Sequence, residues 1–92
     1  MPTGKGHSFH THPEMEEIIY VISGKAEQWV GETKEIIGPG ELAHIPMGEV
    51  HATFNAGEKD LVFLAILSPA SAKDEVLIDV SDQEPWVSLR RS

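Results

Sequence analysis

The chain has 92 residues, enough for one small domain with a single hydrophobic core. Hydrophobic residues make up 40% of it, which predicts a folded chain, and 15 acidic against 7 basic residues give a net charge of -8. This acidic balance argues against nucleic acids and anionic membranes as partners, because both bind basic surfaces.

Several classes of site and location are also excluded or disfavoured. The sequence contains no cysteine, so disulfides, thiolate zinc sites and a cysteine nucleophile are excluded. No apolar stretch reaches the length of a membrane-spanning helix. Residues 1–9 lack the apolar segment of a signal peptide, so a cytoplasmic protein is the expectation.

Turn residues recur at short, regular intervals up to residue 70, and strand-length segments lie between them. This spacing predicts an all-β fold, a small antiparallel barrel or sandwich with little or no helix. The predicted strands are Ser8–His12, Glu17–Ile22, Ala26–Val30, Lys34–Ile37, Leu42–Ile45, Val50–Asn55 and Leu61–Leu67.

The tail, residues 70–92, has a different pattern. Ala70–Glu75 is small and polar, which indicates a turn or a short helix, and Val76–Val80 is a candidate last strand. Residues 81–84 have the spacing of a helix capping box, but Pro85 follows at once, so at most a single helical turn is expected.

Alternation along the strands predicts which side chains share a face. His51, Thr53 and Asn55 lie on one face of their strand, and Val50, Ala52 and Phe54 on the other. The strands Glu17–Ile22 and Leu61–Leu67 are apolar on both faces, so their outer face needs cover. Either the tail with Trp86 or a second subunit supplies it, and we expect a homodimer.

Four side chains suited to a metal lie at the ends of predicted strands. His10 and His12 share a strand face, Glu17 begins the next strand, and His51 follows the turn at residues 46–49. Imidazole with carboxylate suits Mn, Fe, Co, Ni, Cu or Zn better than Ca or Mg. Each residue alone has a plainer interpretation: two histidines one residue apart occur often on surfaces, and acidic residues often form a solvated turn.

The joint spacing of these residues resembles the two motifs of the cupin superfamily. Residues 4–24 match G-x5-H-x-H-x4-E-x6-G, and residues 40–55 match G-x5-P-x-G-x2-H-x3-N, with a short spacer between them. The resemblance extends from residue 4 to about residue 68. The ten matching positions are Gly4, His10, His12, Glu17, Gly24, Gly40, Pro46, Gly48, His51 and Asn55.

The resemblance implies a double-stranded β-helix, also called a jelly roll, forming one domain over residues 1–92. It implies one divalent transition metal per chain, held by His10, His12, Glu17 and His51, and structural roles for the glycines, Pro46 and Asn55. It further implies action on a small organic molecule, by a dioxygenase, isomerase or decarboxylase type of reaction. The alternative is a small-molecule-binding or sensor protein without catalysis, since fold alone does not decide function.

One departure concerns the start of the chain. Cupins usually have one or two strands before the first motif, whereas here Gly4 is the fourth residue. The expectation is a sheet edge that a partner subunit or the segment Val76–Val80 covers. Two further histidines are not expected to be ligands: His7 lies on the opposite face from His10 if the strand is regular, and the position of His44 relative to the ligands stays open.

Overall fold

The computed structural model describes residues 1–68 and 78–89 and contains eight strands and one short helix in those ranges. The strands are β1 Gly6–Thr11, β2 Glu16–Ser23, β3 Ala26–Val30, β4 Thr33–Ile37, β5 Leu42–Ile45, β6 His51–Asn55, β7 Val62–Ser68 and β8 Ile78–Asp79. The helix is α1, Trp86–Leu89.

The strands form two antiparallel sheets. The five-stranded sheet has the order β4-β3-β6-β1-β8, and the three-stranded sheet has the order β5-β2-β7. The predicted all-β class is therefore confirmed. The predicted bounds agree with the structure to within about two residues, and those of β3 and β5 agree at both ends.

The part of the chain that the structure describes forms two hydrophobic clusters, and one of them lies between the sheets. It consists of Val21, Ala26, Ile37 and Leu61, all of them buried. The second cluster lies on the outer face of the five-stranded sheet, where Phe9, Trp29, Ala52 and Phe54 alternate with inward-facing residues. The two faces predicted for β6 are confirmed.

The tail covers this outer face of the five-stranded sheet. Val80 is buried in the second cluster, and the half-buried side chains of Trp86 and Leu89 pack against it. Two residues of the tail, Ile78 and Asp79, also pair with the free edge of β1. The expectation that the tail folds back over this edge is confirmed for Ile78–Asp79, while the segment 70–75 lies outside the described residues.

The outer face of the three-stranded sheet has no cover from the described part of the chain. Six of its large apolar side chains are between 36% and 56% exposed. They come from all three strands: Tyr20, Ile22, Leu42, Val62, Leu64 and Ile66. We call this surface the apolar face.

Candidate functional site

The four candidate ligands converge between the two sheets. Each of His10, His12, Glu17 and His51 offers one ligand atom, and these atoms all lie within 4.8 Å of one another. Two donors at about 2.1 Å from one metal ion are at most about 4.2 Å apart, so the cluster has nearly the size of a metal site. His10, Glu17 and His51 are buried, and the side chain of His12 is 12% exposed.

The five-stranded sheet supplies His10 and His51 as direct neighbours. The two residues face each other across the β1–β6 pair, and their ring centroids are 4.1 Å apart. Glu17 comes from β2, the central strand of the opposite sheet, where it pairs with Ile45 and Leu67. A central strand holds its backbone by hydrogen bonds on both sides, which gives Glu17 a well-defined position.

His12 follows β1 in a turn that is tied to the turn before His51. The backbone N–H of Gly48 donates to the carbonyl of His12 at 3.2 Å, and the Thr11 hydroxyl donates to the carbonyl of Gly48 at 2.8 Å. Gly48 has a φ of +78°, a backbone conformation that residues other than glycine rarely adopt. These contacts join the two sequence motifs at the same end of the fold.

Hydrogen bonds to backbone carbonyls orient two of the three imidazoles. Nδ1 of His10 lies 2.6 Å from the carbonyl oxygen of Ser8, and Nδ1 of His51 lies 3.1 Å from that of Glu49. A carbonyl oxygen only accepts, so both Nδ1 atoms carry the proton and both Nε2 atoms keep a free lone pair. This is the arrangement by which proteins orient metal-binding histidines.

Three buried polar atoms of the cluster lack a hydrogen-bond partner among the described residues: Nδ1 of His12, Oε1 of Glu17 and Nε2 of His51. Glu17 Oε1 and His51 Nε2 are only 2.9 Å apart, but the alignment is not that of a hydrogen bond. Leaving buried polar atoms unpaired is unfavourable, and a bound cation would satisfy both Oε1 of Glu17 and Nε2 of His51. The donor set therefore fits a metal ion.

The electrostatics of the cluster favour the protonation states that metal binding needs. Burial, reinforced by the neighbouring imidazoles, lowers the pKa of His10 to about 4, although its hydrogen bond to Ser8 acts in the opposite direction. Burial raises the pKa of Glu17, but its contact with His51 and the other two ligand histidines outweigh burial, so the net shift is downward. A neutral imidazole and an ionised carboxylate are the ligand forms.

Two histidines lie outside the ligand cluster, and the orientation of one of them, His7, differs from the sequence-based expectation. His44 is exposed on the outer face of β5, 3.3 Å from a carboxylate oxygen of Glu16, and is not part of the cluster. His7 was predicted to face away from His10, and this is wrong. Its ring stacks on that of His10, with centroids 3.9 Å apart and planes inclined by 19°.

A β-bulge explains the error. His7 pairs with Thr53, while His10 pairs with His51, so three steps along β1 match two along β6. The extra residue reverses the alternation, and both histidines face the same side. The sequence does hold a weak signal for this irregularity in Gly6, since glycine inside a strand often marks a bulge or a close backbone approach.

Asn55 has the structural role that the resemblance implied. Its side-chain amide donates to the carbonyls of Met1 and Lys59, each at 2.8 Å, and its carbonyl oxygen accepts from the backbone of Gly57. These bonds close the loop after β6 and hold the start of the chain. Asn55 therefore belongs to the scaffold and not to the cluster of candidate ligands.

A small cavity of about 180 Å³ adjoins the four candidate ligands. On the side of the five-stranded sheet it is lined by His7 and Thr53, in addition to the ligands. On the other side its wall is apolar and consists of Ile19, Phe63, Ala65 and Leu67. Among the described residues that line it, Glu17 is the only acid and there is no lysine or arginine.

Among residues 1–68 and 78–89, the structure contains no helix with the length and apolar character needed to cross a membrane. The one helix found there, α1, has four residues.

Comparisons with known proteins agree with this architecture. The chain is 41% identical over 73 residues to a glucose-6-phosphate isomerase of Thermococcus kodakarensis, an alignment that covers 74% of this chain and 38% of the isomerase. The chain thus matches well under half the length of that relative. The similarity therefore concerns a shared domain and not the activity of the whole isomerase.

Solved structures show the same fold. A Klebsiella pneumoniae protein with a double-stranded β-helix domain superposes with a TM-score of 0.73 at 28% identity, over 85% of this chain and 68% of that one. A predicted oxalate decarboxylase from Thermotoga maritima superposes with a TM-score of 0.70 at 30% identity, over 73% of this chain and 58% of that one. The expected double-stranded β-helix is confirmed.

The cupin domain family matches residues 1–67, which include both motifs and all four candidate ligands. This match spans well over half of the 92 residues. The chain belongs to the cupin family.

Proposed function

We propose that the chain binds one divalent transition metal ion through His10, His12, Glu17 and His51. The observation that carries this proposal is the pair of unpartnered buried atoms, Oε1 of Glu17 and Nε2 of His51, that lie 2.9 Å apart within the cluster of four candidate ligands. Three neutral imidazoles and a carboxylate suit Mn, Fe, Co, Ni, Cu or Zn, and four ligands on a six-coordinate ion leave two positions for other molecules. The backbone carbonyls of Ser8 and Glu49 hold two of the rings in the orientation that metal binding requires.

We further propose that the site acts on a small organic molecule. A bound divalent ion supplies polarisation of a ligand oxygen or, for a redox-active metal, electron transfer. The residues of this chain bind and orient the molecule, and the apolar wall of Ile19, Phe63, Ala65 and Leu67 keeps water from one side of it. The isomerase and the predicted decarboxylase that this chain resembles are both proteins with small, oxygen-rich substrates by name. Isomerisation, decarboxylation and dioxygenation are therefore the reaction types to test.

The second candidate is a metal-dependent binding or sensor protein without catalysis. The cavity lining favours it in one respect, because the described residues provide no second carboxylate, serine or lysine there, and His7 is the one imidazole in the lining outside the ligand cluster. Turnover of a bound molecule distinguishes the two candidates.

We also propose that two copies of the chain associate through the apolar face, as homodimers, in the cytoplasm. Apart from Glu16 and His44, which pair with each other at 3.3 Å, the outward residues of the three-stranded sheet carry no charge near neutral pH. A chain with a net charge of -8 can thus meet its own copy there without repulsion between like charges. A partner chosen by charge would instead need a charged surface on this face.

Metal content tests the central proposal. Protein purified without an affinity tag is incubated with Mn(II), Fe(II), Ni(II) or Zn(II), desalted and measured by elemental mass spectrometry. We expect one ion per chain in the wild type and in His44→Ala, a histidine variant outside the cluster. We expect loss of the ion in His10→Ala and His51→Ala, and also in Glu17→Gln, which preserves side-chain shape.

Circular dichroism on the same samples separates loss of ligands from loss of folding. A wild-type protein that takes up none of the four metals overturns the metal proposal. Full occupancy in a folded Glu17→Gln or His51→Ala variant removes that residue from the ligand set.

A further inference from the structure

His7 lies in the cavity beside the candidate metal centre without being part of the ligand cluster. The β-bulge between His7 and His10 turns both rings to the interior, where they stack. The four-residue cluster whose ligand atoms lie within 4.8 Å does not include His7. His7 is solvent-exposed and lines the cavity, whereas its neighbour His10 is 3% exposed.

The position of His7 is set by its surroundings. At the adjacent Gly6, an added Cβ would lie 2.8 Å from the carbonyl oxygen of Thr53 and would overlap the ring of Phe54. The backbone of β1 therefore approaches β6 closely at this point, as only glycine allows. On its other side the His7 ring is supported by the flat face of His10.

The ring nitrogens of His7 have no hydrogen-bond partner among residues 1–68 and 78–89, in contrast to His10 and His51, whose Nδ1 atoms are bound to backbone carbonyls. A neutral imidazole has one N–H donor and one acceptor nitrogen, whichever tautomer is present. His7 thus presents a free polar group to the cavity at the end where the candidate ligands lie. Thr53, the next polar residue of this wall, already donates its hydroxyl to the buried Gln28 at 2.6 Å.

The charge and volume of the cavity restrict what it can hold. Three neutral imidazoles and one carboxylate leave a formal charge of +1 when a divalent ion is bound, and the described lining contains no lysine or arginine. A doubly charged phosphate group would therefore find no side chain to neutralise it. A cavity of about 180 Å³ lies below the roughly 300–1,000 Å³ of pockets that hold drug-sized ligands, so the molecule is small.

We propose that His7 is a ligand-contacting residue of this cupin. The His7 ring hydrogen-bonds a small molecule at the end of the cavity where the candidate metal ligands lie. That molecule carries one carboxylate, or two uncharged oxygen atoms, and its apolar part packs against Phe63, Ala65 and Leu67. This inference rests on the proposed metal site and assigns to it a ligand class and a specificity residue.

Glycolate and 2-hydroxybutyrate are suitable probes, because both carry one carboxylate and they differ by two carbons of apolar chain. Co(II)-loaded protein is titrated with each, and the visible spectrum of the cobalt reports binding. The variants are His7→Phe, which keeps a flat ring for stacking on His10, and His7→Gln, which keeps a polar group. His44→Phe is the matched control, and metal content is measured for every protein.

We expect all four proteins to hold one Co(II) per chain. Loss of a hydrogen bond to a charged group weakens glycolate binding by about tenfold or more in His7→Phe, while His7→Gln and His44→Phe stay within about threefold of the wild type. Burial of the two extra carbons strengthens 2-hydroxybutyrate binding by roughly tenfold in the wild type. Inorganic phosphate is expected to bind more weakly than glycolate.

Glycolate affinity in His7→Phe within twofold of the wild type would overturn the role of His7 while leaving the metal site intact. Loss of cobalt in His7→Phe would place His7 in support of the metal instead of the ligand. Phosphate binding more tightly than both hydroxy acids would overturn the ligand class. Absence of metal in the wild type would contradict the proposed function itself, and with it this inference.

Discussion

The indole ring of Trp86 stacks on the ring of Phe9, with centroids 5.6 Å apart and planes inclined by 29°. Phe9 directly precedes His10, and the two side chains point to opposite faces of β1. The tail therefore packs behind the strand that presents a candidate metal ligand. Phe9 also contacts Trp29 and Phe54 edge to face, so Trp86 closes a cluster of four aromatic rings.

Removal of the Trp86 side chain should destabilise the whole domain. Trp86 is half-buried, so we expect Trp86→Ala to lower the free energy of unfolding by about 2 kcal/mol, below the value for a fully buried aromatic residue. Urea denaturation measures it, with Ile36→Ala as control, because Ile36 is 53% exposed and should change stability by less than about 0.5 kcal/mol. Equal stabilities for the two variants would show that the tail is not needed as cover.

Stability of the metal-free protein should fall as the pH is lowered from neutral. The pKa of His10 is about 4 in the folded protein against 6.5 in the unfolded chain, so between these values the unfolded state binds more protons. The contribution of neutral His10 is complete above pH 6.5 and is lost progressively down to about pH 4, with a total on the order of 3 kcal/mol.

Urea denaturation in the presence of a chelator, at pH 7.5, 6 and 5, checks this expectation. The matched variant is His10→Gln, which removes the titrating group and should show a weaker dependence on pH over the same range. Parallel curves for the wild type and the variant would assign the dependence to other residues.

Substitution of Gly6 should destabilise the protein more than substitution of another glycine without positive φ. A methyl group at Gly6 would overlap the ring of Phe54, so we expect Gly6→Ala to cost about 2 kcal/mol through overpacking at the bulge. Gly38→Ala is the control, since an added Cβ there meets only a Glu41 carboxylate oxygen at 3.6 Å. Thermal unfolding compares them, and a smaller effect at Gly6 than at Gly38 would contradict the close approach of β1 and β6.

The proposed dimer should depend on the centre of the apolar face. Leu64 lies there on β7, opposite Tyr20, and is 51% exposed. We expect Leu64→Glu to produce a folded monomer, because each interface would bury two uncompensated carboxylates. Size-exclusion chromatography with light scattering measures the mass, and Ile36→Glu, an equally exposed site on the other sheet, should leave the dimer intact. A monomeric wild type at micromolar concentration would disprove association through this face.

Much of the fold is readable from local patterns. Alternation of polar and apolar residues identified both faces of β6, and turn residues marked the limits of β3 and β5 to the residue. The spacing of His10, His12, Glu17 and His51 identified the cluster that the structure brings together, because residues two apart share a strand face and the motif glycines place the turns. These features depend on short stretches of chain and on the resemblance to one family.

Other features depend on which strands become neighbours. The orientation of His7 follows from a bulge in the pairing of β1 with β6, two strands separated by about forty residues, and alternation within β1 alone predicts the wrong face. The position of His44 was open because a turn separates it from the ligands, and the pairing of β2 with β5 places it outside, beside Glu16.

Which sheet the tail covers also depends on contacts between segments that are distant in the sequence. The sequence predicted that the outer face of Glu17–Ile22 and Leu61–Leu67 is covered by the tail with Trp86 or by a second subunit. The first alternative is wrong for the described residues, because Trp86 and Val80 pack on the five-stranded sheet and leave the apolar face of the other sheet exposed. The amino-acid sequence by itself thus determined the strands, their faces and the four ligand candidates, because these follow from spacing along the chain. Only the tertiary structure decided the bulge, the polar group that His7 adds to the cavity and the face left for a partner, because these arise from contacts between distant segments.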